Sequence, residues 1–191
     1  MRIIRGTLKG RRLTAPKGYQ TRPTSDRIKE SIFDILGGEI EGRSVLDLYA
    51  GTGNLGIEAL SRGAKKTVFV EKGTKALQLI TKNLSRFGMA GWAEILPKDA
   101  LRAIGILKQR GECFDLIFID PPYERGLIQK TLMKLKSQKI YHEDSILIIQ
   151  HNRREPLPER LSEWNLFRQR KIGDTLISFL SPCKPLPPKE E

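Results

Sequence analysis

The sequence predicts an α/β fold: a mostly parallel sheet with helices on both faces, ending in an antiparallel hairpin and preceded by a small basic extension. Three observations carry this. From Arg43 onward, strands at 44–48, 66–70, 92–96, 114–119 and 145–150 alternate with helical spacing at about 54–62, 73–87, 99–109 and 125–137. That alternation is the mark of crossover units that lay helices over a parallel sheet. The run Phe114-Asp115-Leu116-Ile117-Phe118-Ile119 is almost continuously apolar, as a strand buried on both faces must be. After His151 the alternation stops, and Asn165–Lys171 and Thr175–Leu180 flank Gly173-Asp174, a hairpin signal.

Taken in order, residues 2–14 read as a hairpin turning near Lys9-Gly10, with Ile3 and Leu13 toward the core and Arg2, Arg5, Lys9, Arg11 and Arg12 outside. Residues 1–29 hold nine Lys or Arg against one acid, Asp26, so most of the formal charge of +12 sits there. Such a block suits a polyanion and releases counterions from RNA; blunting an edge strand is the plainer use of the same charges. Ala15–Thr24 reads as a loop. Thr24 or Ser25 caps a helix to about Leu36, with Ile28, Ile32, Phe33 and Leu36 on its core face, Arg22, Arg27 and Lys29 on or near the other, and Gly37-Gly38 as its end.

The division expected is 1–38 as a basic hairpin and helix contacting RNA, 39–182 as the main domain, and 183–191 as a disordered tail with three prolines. Within the domain, Pro156–Trp164 reads as a short helix. Cys113 and Cys183 lie far apart without a CxxC pair and read as free thiols of a reducing compartment. No apolar run reaches the ~18 residues of a membrane span, and the opening Met1-Arg2-Ile3-Ile4-Arg5-Gly6 has no signal-peptide core. The protein is expected in the cytoplasm, and a monomer is expected. His142 and His151 have no ligand-spaced partners and read as surface or sheet-edge residues, with no metal. Trp92 and Trp164 read as packing residues. Arg153, Arg154, Arg168, Arg170 and Lys171 form a second basic run, diluted by Glu155, Glu159 and Glu163.

The chemistry concentrates at Asp120-Pro121-Pro122-Tyr123. Two prolines after a buried strand forbid more strand or an immediate helix, leaving a rigid corner where open α/β sheets put their sites. Asp120 and the Pro121 carbonyl can accept both N–H bonds of a planar amine, and Tyr123 can stack on its ring. A second stretch, Ser44-Val45-Leu46-Asp47-Leu48-Tyr49-Ala50-Gly51-Thr52-Gly53-Asn54-Leu55-Gly56, is a strand running through a glycine turn into a helix. With the corner, it resembles class I S-adenosylmethionine-dependent methyltransferases, whose fold carries the same antiparallel hairpin.

Gly51 to Gly56 also spell GxGxxG, with Glu71 twenty residues after Gly51, the dinucleotide fingerprint. Asp47 argues against a dehydrogenase, because a carboxylate at that strand end repels a pyrophosphate and suits the ammonium of a methionyl group. Glu71 ends the next apolar strand and can accept ribose hydroxyls, or start a helix as a solvated acid. Asp99 can accept an adenine amino group beside the Ala100 N–H, or cap a helix, or both.

Nearly the whole chain resembles the RsmD family of ribosomal RNA methyltransferases. The likeness rests on Arg2-Ile3-Ile4-Arg5-Gly6, Gly10-Arg11-Arg12-Leu13, Arg22-Pro23-Thr24-Ser25-Asp26-Arg27, Glu30-Ser31-Ile32-Phe33, the Asp47–Gly53 turn, Asp120–Tyr123 and Gly173-Asp174-Thr175. Lys171-Ile172 before Gly173, where an aromatic often stands, and the Pro-rich tail depart from the family. The resemblance implies S-adenosylmethionine held by Asp47, Tyr49, Gly51, Gly53, Asn54, Glu71, Lys72, Asp99 and Ala100. It implies catalysis by Asp120, Pro121, Pro122 and Tyr123 on the N2 amine of a guanine in 16S rRNA or the small subunit, with RNA contacts from Arg5, Lys9, Arg11, Arg12, Arg22 and Arg27. The corner motif is shared with adenine-N6 enzymes, which are the alternative, along with a non-catalytic RNA-binding module.

Overall fold

The computed structural model describes residues 1–15, 23–122, 126–158, 161 and 163–183. The elements are α1 (Pro23–Leu36), β1 (Ser44–Asp47), α2 (Asn54–Ser61), β2 (Lys66–Val70), α3 (Thr74–Arg86), β3 (Ala93–Leu96), α4 (Ala100–Gln109), β4 (Phe114–Ile119), α5 (Leu127–Gln138), β5 (Tyr141–Asn152), β6 (Trp164–Ile172) and β7 (Thr175–Pro182), with a 3-10 turn over Ala90–Trp92. The strands form one sheet in the order β3-β2-β1-β4-β5-β7-β6. The first five run parallel, and β7 runs antiparallel between β5 and β6. This is the expected architecture.

The inner strands alternate between two cores. Val45, Leu116 and Phe118 face one side, with Ile3, Leu13, Ile28, Ile32, Phe33 and Ile57 from the amino-terminal segment, α1 and α2. Leu46, Ile117 and Ile119 face the other, with Ile104 and Leu107 of α4 and Leu132 and Leu135 of α5. The amino-terminal segment is a ribbon with one antiparallel bridge, Arg2 to Arg12, closed by Ile3 N–H to the Arg11 carbonyl at 2.9 Å and Gly10 N–H to the Ile3 carbonyl at 2.8 Å. Ile3 and Leu13 are buried and Arg2, Arg5, Lys9, Arg11 and Arg12 exposed, as the alternation requires.

Several sequence readings are corrected. α1 starts at Pro23, so Thr24 and Ser25 sit inside the helix and not before it; proline suits a first helical position, whose N–H is free anyway. Lys29 is fully buried and faces the core. His151 is also buried, its ring nitrogens against the Ser178 hydroxyl at 2.9 Å and the Glu155 carbonyl at 3.0 Å. Trp92 is 57% exposed and is no packing residue, whereas Trp164 is buried. The described residues between Pro156 and Trp164 contain no helix. The loop and tail residues 16–22 and 184–191 lie outside the described residues.

Candidate active site

Strand order reverses between β1 and β4: β2 and β3 lie to one side, β5, β7 and β6 to the other. A ligand crevice forms at the carboxyl ends of the strands at such a point. Here it is a cleft of about 1390 Å³, and its lining includes Asp47, Tyr49, Gly51, Asn54, Glu71, Lys72, Asp99, Ala100, Asp120 and Pro122. Nine of the expected cofactor and catalytic positions are thus joined with Asp120 in one space. Gly53 sits just behind, as the left-handed N-cap of α2 with φ 79°. Pro121 is buried and Tyr123 lies outside the described residues.

The acids occupy successive strand ends. Asp47 is buried, and its Oδ2 accepts the Gly56 N–H at 3.1 Å. Burial, aided by the charges of Asp120 and Glu71, pushes its carboxyl up to about 7 despite that hydrogen bond. Asp120 follows β4; the residue is half-buried, and desolvation of its carboxyl in the cleft pushes it also up to about 7. Glu71 follows β2 and buttresses the glycine turn: Oε2 accepts Gly51 N–H at 2.9 Å, while Oε1 accepts those of Lys72 at 2.8 Å and Gly73 at 2.7 Å. A carboxylate has about four lone-pair sites, so little of Glu71 is left for a second hydroxyl. Asp99 is the N-cap of α4, accepting Arg102 N–H at 3.1 Å, and it lines the cleft as well.

The turn itself requires glycine. Gly51 has φ 54°, and an added Cβ would meet nothing within 4 Å, so a side chain would both strain the backbone and enter open space. Tyr49 reaches across the cleft to α5, its hydroxyl 2.7 Å from Thr131 Oγ1.

Lys29, Gln150 and Thr175 also line the cleft and were not anticipated. Lys29 Nζ donates to Asn54 Oδ1 at 2.9 Å and to the Arg2 carbonyl at 2.5 Å, and lies 3.1 Å from Glu58 Oε2. Burial lowers its pKa, opposed by Glu58. Glu58 in turn accepts the N–H groups of Ile4 and Arg5 and the Arg62 guanidinium. Asn83 adds a second tie, bonding Thr14 on the ribbon and the Thr52 carbonyl in the turn. The ribbon is therefore fastened to the glycine turn by buried polar groups. The helical spacing of Lys29 to Ile32, Phe33 and Leu36 was the signal that placed it inward; its residue type argued the other way.

Arg5, Lys9, Arg11, Arg12 and Arg27 are all exposed, and Arg22 lies outside the described residues. Arg5 makes only a loose pair with Asp34, at 3.9 Å. Among the described residues no helix is long and apolar enough to cross a membrane, and no His, Cys, Asp and Glu cluster could hold a metal.

The sheet order, the terminal antiparallel hairpin and a cleft floored by strand-end acids define the fold of the class I S-adenosylmethionine-dependent methyltransferases. A solved structure of similar shape, SMU.776 complexed with SAH, gives a TM-score of 0.68 over 83% of this chain and 49% of its own, at 15% identity. The solved Escherichia coli protein yhhF gives 0.83 over 95% of this chain and 97% of its own, at 30% identity. In sequence, Ribosomal RNA small subunit methyltransferase D of Escherichia coli is 33% identical over 173 residues, which is 91% of this chain and 85% of that protein. The family model described as Conserved hypothetical protein 95 matches residues 1–181. The chain belongs to that family, the RsmD family.

Proposed function

We propose that the chain methylates the exocyclic N2 amine of a guanine in small-subunit (16S) ribosomal RNA, with S-adenosylmethionine as donor. The observation that carries the reading is Asp120: a half-buried carboxyl, on a proline corner, opening into the cleft that also holds Asp47, Glu71 and Asp99. The named relatives support an RNA substrate, and the family resemblance supports guanine N2.

The residues present fit the donor. Asp47 is buried, its side chain meets the backbone N–H groups of Gly56 and Tyr49, and it has no ion pair among the described residues, so a cationic ligand relieves it. When bound, S-adenosylmethionine supplies an electrophilic methyl on a sulfonium centre. Asp47 would hold the ammonium, the Glu71 and Gly51 pair would face the ribose, and Asp99 with the Ala100 N–H would face the adenine. The Asp47 carboxylate at the strand end beneath the glycine turn repels a pyrophosphate, which sets the site apart from a dinucleotide site.

On the substrate side, an aromatic amine is a poor nucleophile because its lone pair is delocalised into the ring. Asp120 and the Pro121 carbonyl accept its two N–H bonds and favour a pyramidal nitrogen. Tyr123 holds the base by stacking. Alignment and desolvation supply most of the rate. With its carboxyl near 7, Asp120 is also matched to accept the proton the methylated amine sheds. The target guanine has to leave its stack to reach the corner.

Single-turnover methylation of 16S rRNA or small subunits with radiolabelled cofactor, followed by nucleoside identification, tests this. Label should appear in N2-methylguanosine. Asp120→Ala should abolish it while cofactor binding persists, and Asp120→Asn should lose on the order of 10–1000-fold, since the amide still accepts one N–H but lacks the charge. A folded, fully active Asp120→Ala protein overturns the mechanism. Label in N6-methyladenosine moves the substrate to adenine.

A further inference from the structure

We infer that the RNA-binding surface does not end at the amino-terminal ribbon but continues along the α1 side of the sheet onto the edge strand β6, where Arg168 and Arg170 contact phosphates. The inference rests on the RNA reading above and adds a footprint to it.

Register fixes which way these side chains point. Arg168 pairs with Phe179 and Arg170 with Ile177, and opposed residues of an antiparallel pair project to the same face. Phe179 and Ile177 belong to the core that also holds Ile3 and Leu13 of the ribbon and Ile28 and Ile32 of α1. Ile172, at the end of the strand, packs on that same core. Arg168 and Arg170 therefore rise on the side that carries the ribbon and α1. Lys171 pairs with Leu176, one step out of phase, and projects to the opposite face.

Position along the strand matters as much. β7 starts at Thr175, which lines the cleft, so β6 ends at the cleft rim and Arg170 stands two residues from that end. Arg168, Arg170 and Lys171 are exposed, and none has an ion-pair partner among the described residues. From Trp164 to Ile172 the strand holds no acid. At the rim end the nearest acid in the hairpin, Asp174, pairs with Arg153 at 3.8 Å, whereas at the other end of β6 Glu39, Glu143 and Asp144 outnumber Arg43 in a groove with Trp164, Asn165 and Phe167. Phe167 leans on Phe179 there, with ring centroids 6.2 Å apart. A polyanion is repelled from that end and drawn to the rim. The cations thus extend the charge of Arg2, Arg5, Arg11, Arg12 and Arg27 around the cleft mouth, on the face from which a guanine would enter.

Charges on an edge strand also discourage strand-to-strand association. That use would be served equally by Lys171, and the two uses separate experimentally. Binding of in vitro transcribed 16S rRNA is measured across a salt series for wild type, the Arg168→Ala/Arg170→Ala double variant and Lys171→Ala. Two lost phosphate contacts should lower the salt slope by roughly 1.4–1.8 and weaken binding about tenfold or more at ~0.1 M salt. Lys171→Ala should behave as wild type, and Arg168→Lys/Arg170→Lys should restore the slope. In methylation assays the double variant should raise KM for RNA. A wild-type slope in the double variant overturns the inference, as does an equal loss from Lys171→Ala, which would mark a general effect of net charge. Self-association of the double variant with unchanged RNA binding also overturns it, in favour of edge protection. If wild type shows the binding pattern but makes no N2-methylguanosine, the proposed reaction fails and this surface stands.

Discussion

Removing Lys29 should be costly, and less so than removing the charge of its partner. Lys29 Nζ and Glu58 Oε2 are 3.1 Å apart with side chains 1% and 0% exposed. Breaking a buried pair costs ~3–5 kcal/mol, because the survivor is left charged and unpaired. In Lys29→Met the survivor is Glu58, which keeps Arg62 Nε at 2.9 Å and the N–H groups of Ile4 and Arg5. The orphans are the Arg2 carbonyl and Asn54 Oδ1, so the loss should fall at the low end, about 3 kcal/mol. Glu58→Gln instead leaves Lys29 and Arg62 buried without a carboxylate, at the high end of about 5 kcal/mol. At ~2–4 °C per kcal/mol for a chain of this size, Tm should drop by roughly 6–12 °C and 10–20 °C respectively. Calorimetry and urea unfolding measure both, and a double variant gives the coupling. If Lys29→Met were within ~0.5 kcal/mol of wild type, or worse than Glu58→Gln, the account of this cluster would be wrong.

The other expectations concern the cleft, the turn and the ribbon. Asp47 and Asp120 are both raised to about 7, so each takes up a proton on folding and destabilises the fold as pH rises from about 4 through 7. Asp120→Asn should therefore be stabilised relative to wild type at about pH 8 and not at about pH 4, as read by thermal melts. Deprotonated Asp47 is the form that holds a cation, so affinity for S-adenosylmethionine should climb by up to ~10-fold per pH unit below about 7, and Asp47→Asn should flatten that profile in calorimetry. Gly56→Ala puts a Cβ 2.3 Å from Phe69 Cε1 and 2.9 Å from Thr67 Cγ2, and should lower stability by ~1–3 kcal/mol in urea titrations. Replacing Arg5, Lys9, Arg11 and Arg12 by Ala should cut the salt slope of RNA binding by up to ~0.7–0.9 per contact and leave cofactor affinity near wild type; an unchanged slope would leave edge protection as their role.

The sheet and the acid series were legible because both are local. Apolar runs of strand length end at Asp47, Glu71 and Asp120, and the chain itself writes the order strand, acid, turn, helix. Strand ends moved by a few residues where pairing decides: β5 starts at Tyr141, four residues earlier than its apolar run, because Tyr141 pairs with Phe114 before the register shifts. What stayed hidden depends on partners far along the chain. Lys29 carried the right spacing for the core, but its burial depends on Glu58, the Arg2 carbonyl and Asn54, all distant in sequence. His151 looked like an edge residue because the strand covering it, β7, comes later and brings Ser178 to its ring. Asp99 shows the converse, since its two readings, N-cap and cleft acid, were both local and both appear.

The cleft also resolves a conflict in the charge pattern. A chain of net charge +12 places acids at the floor of the cleft and exposed lysines around the opening, among them Lys72, Lys75, Lys82 and Lys98. At the floor, Asp47 is buried, and charges there act through a poorly screening medium. At the rim, exposed charges are screened over ~10 Å at ~0.1 M salt. Under the proposed function a small cation would be held by short-range contacts to acids that water cannot replace, and a polyanion would be collected by a wider field that salt can remove. The two ligands that methyl transfer to RNA requires have opposite sign, and a single uniform field could not serve both. Fastening the basic ribbon to the glycine turn through Lys29 and Asn83 keeps the two zones in fixed register, so that on the proposed function RNA gathered at the rim would be offered to the Asp120 corner.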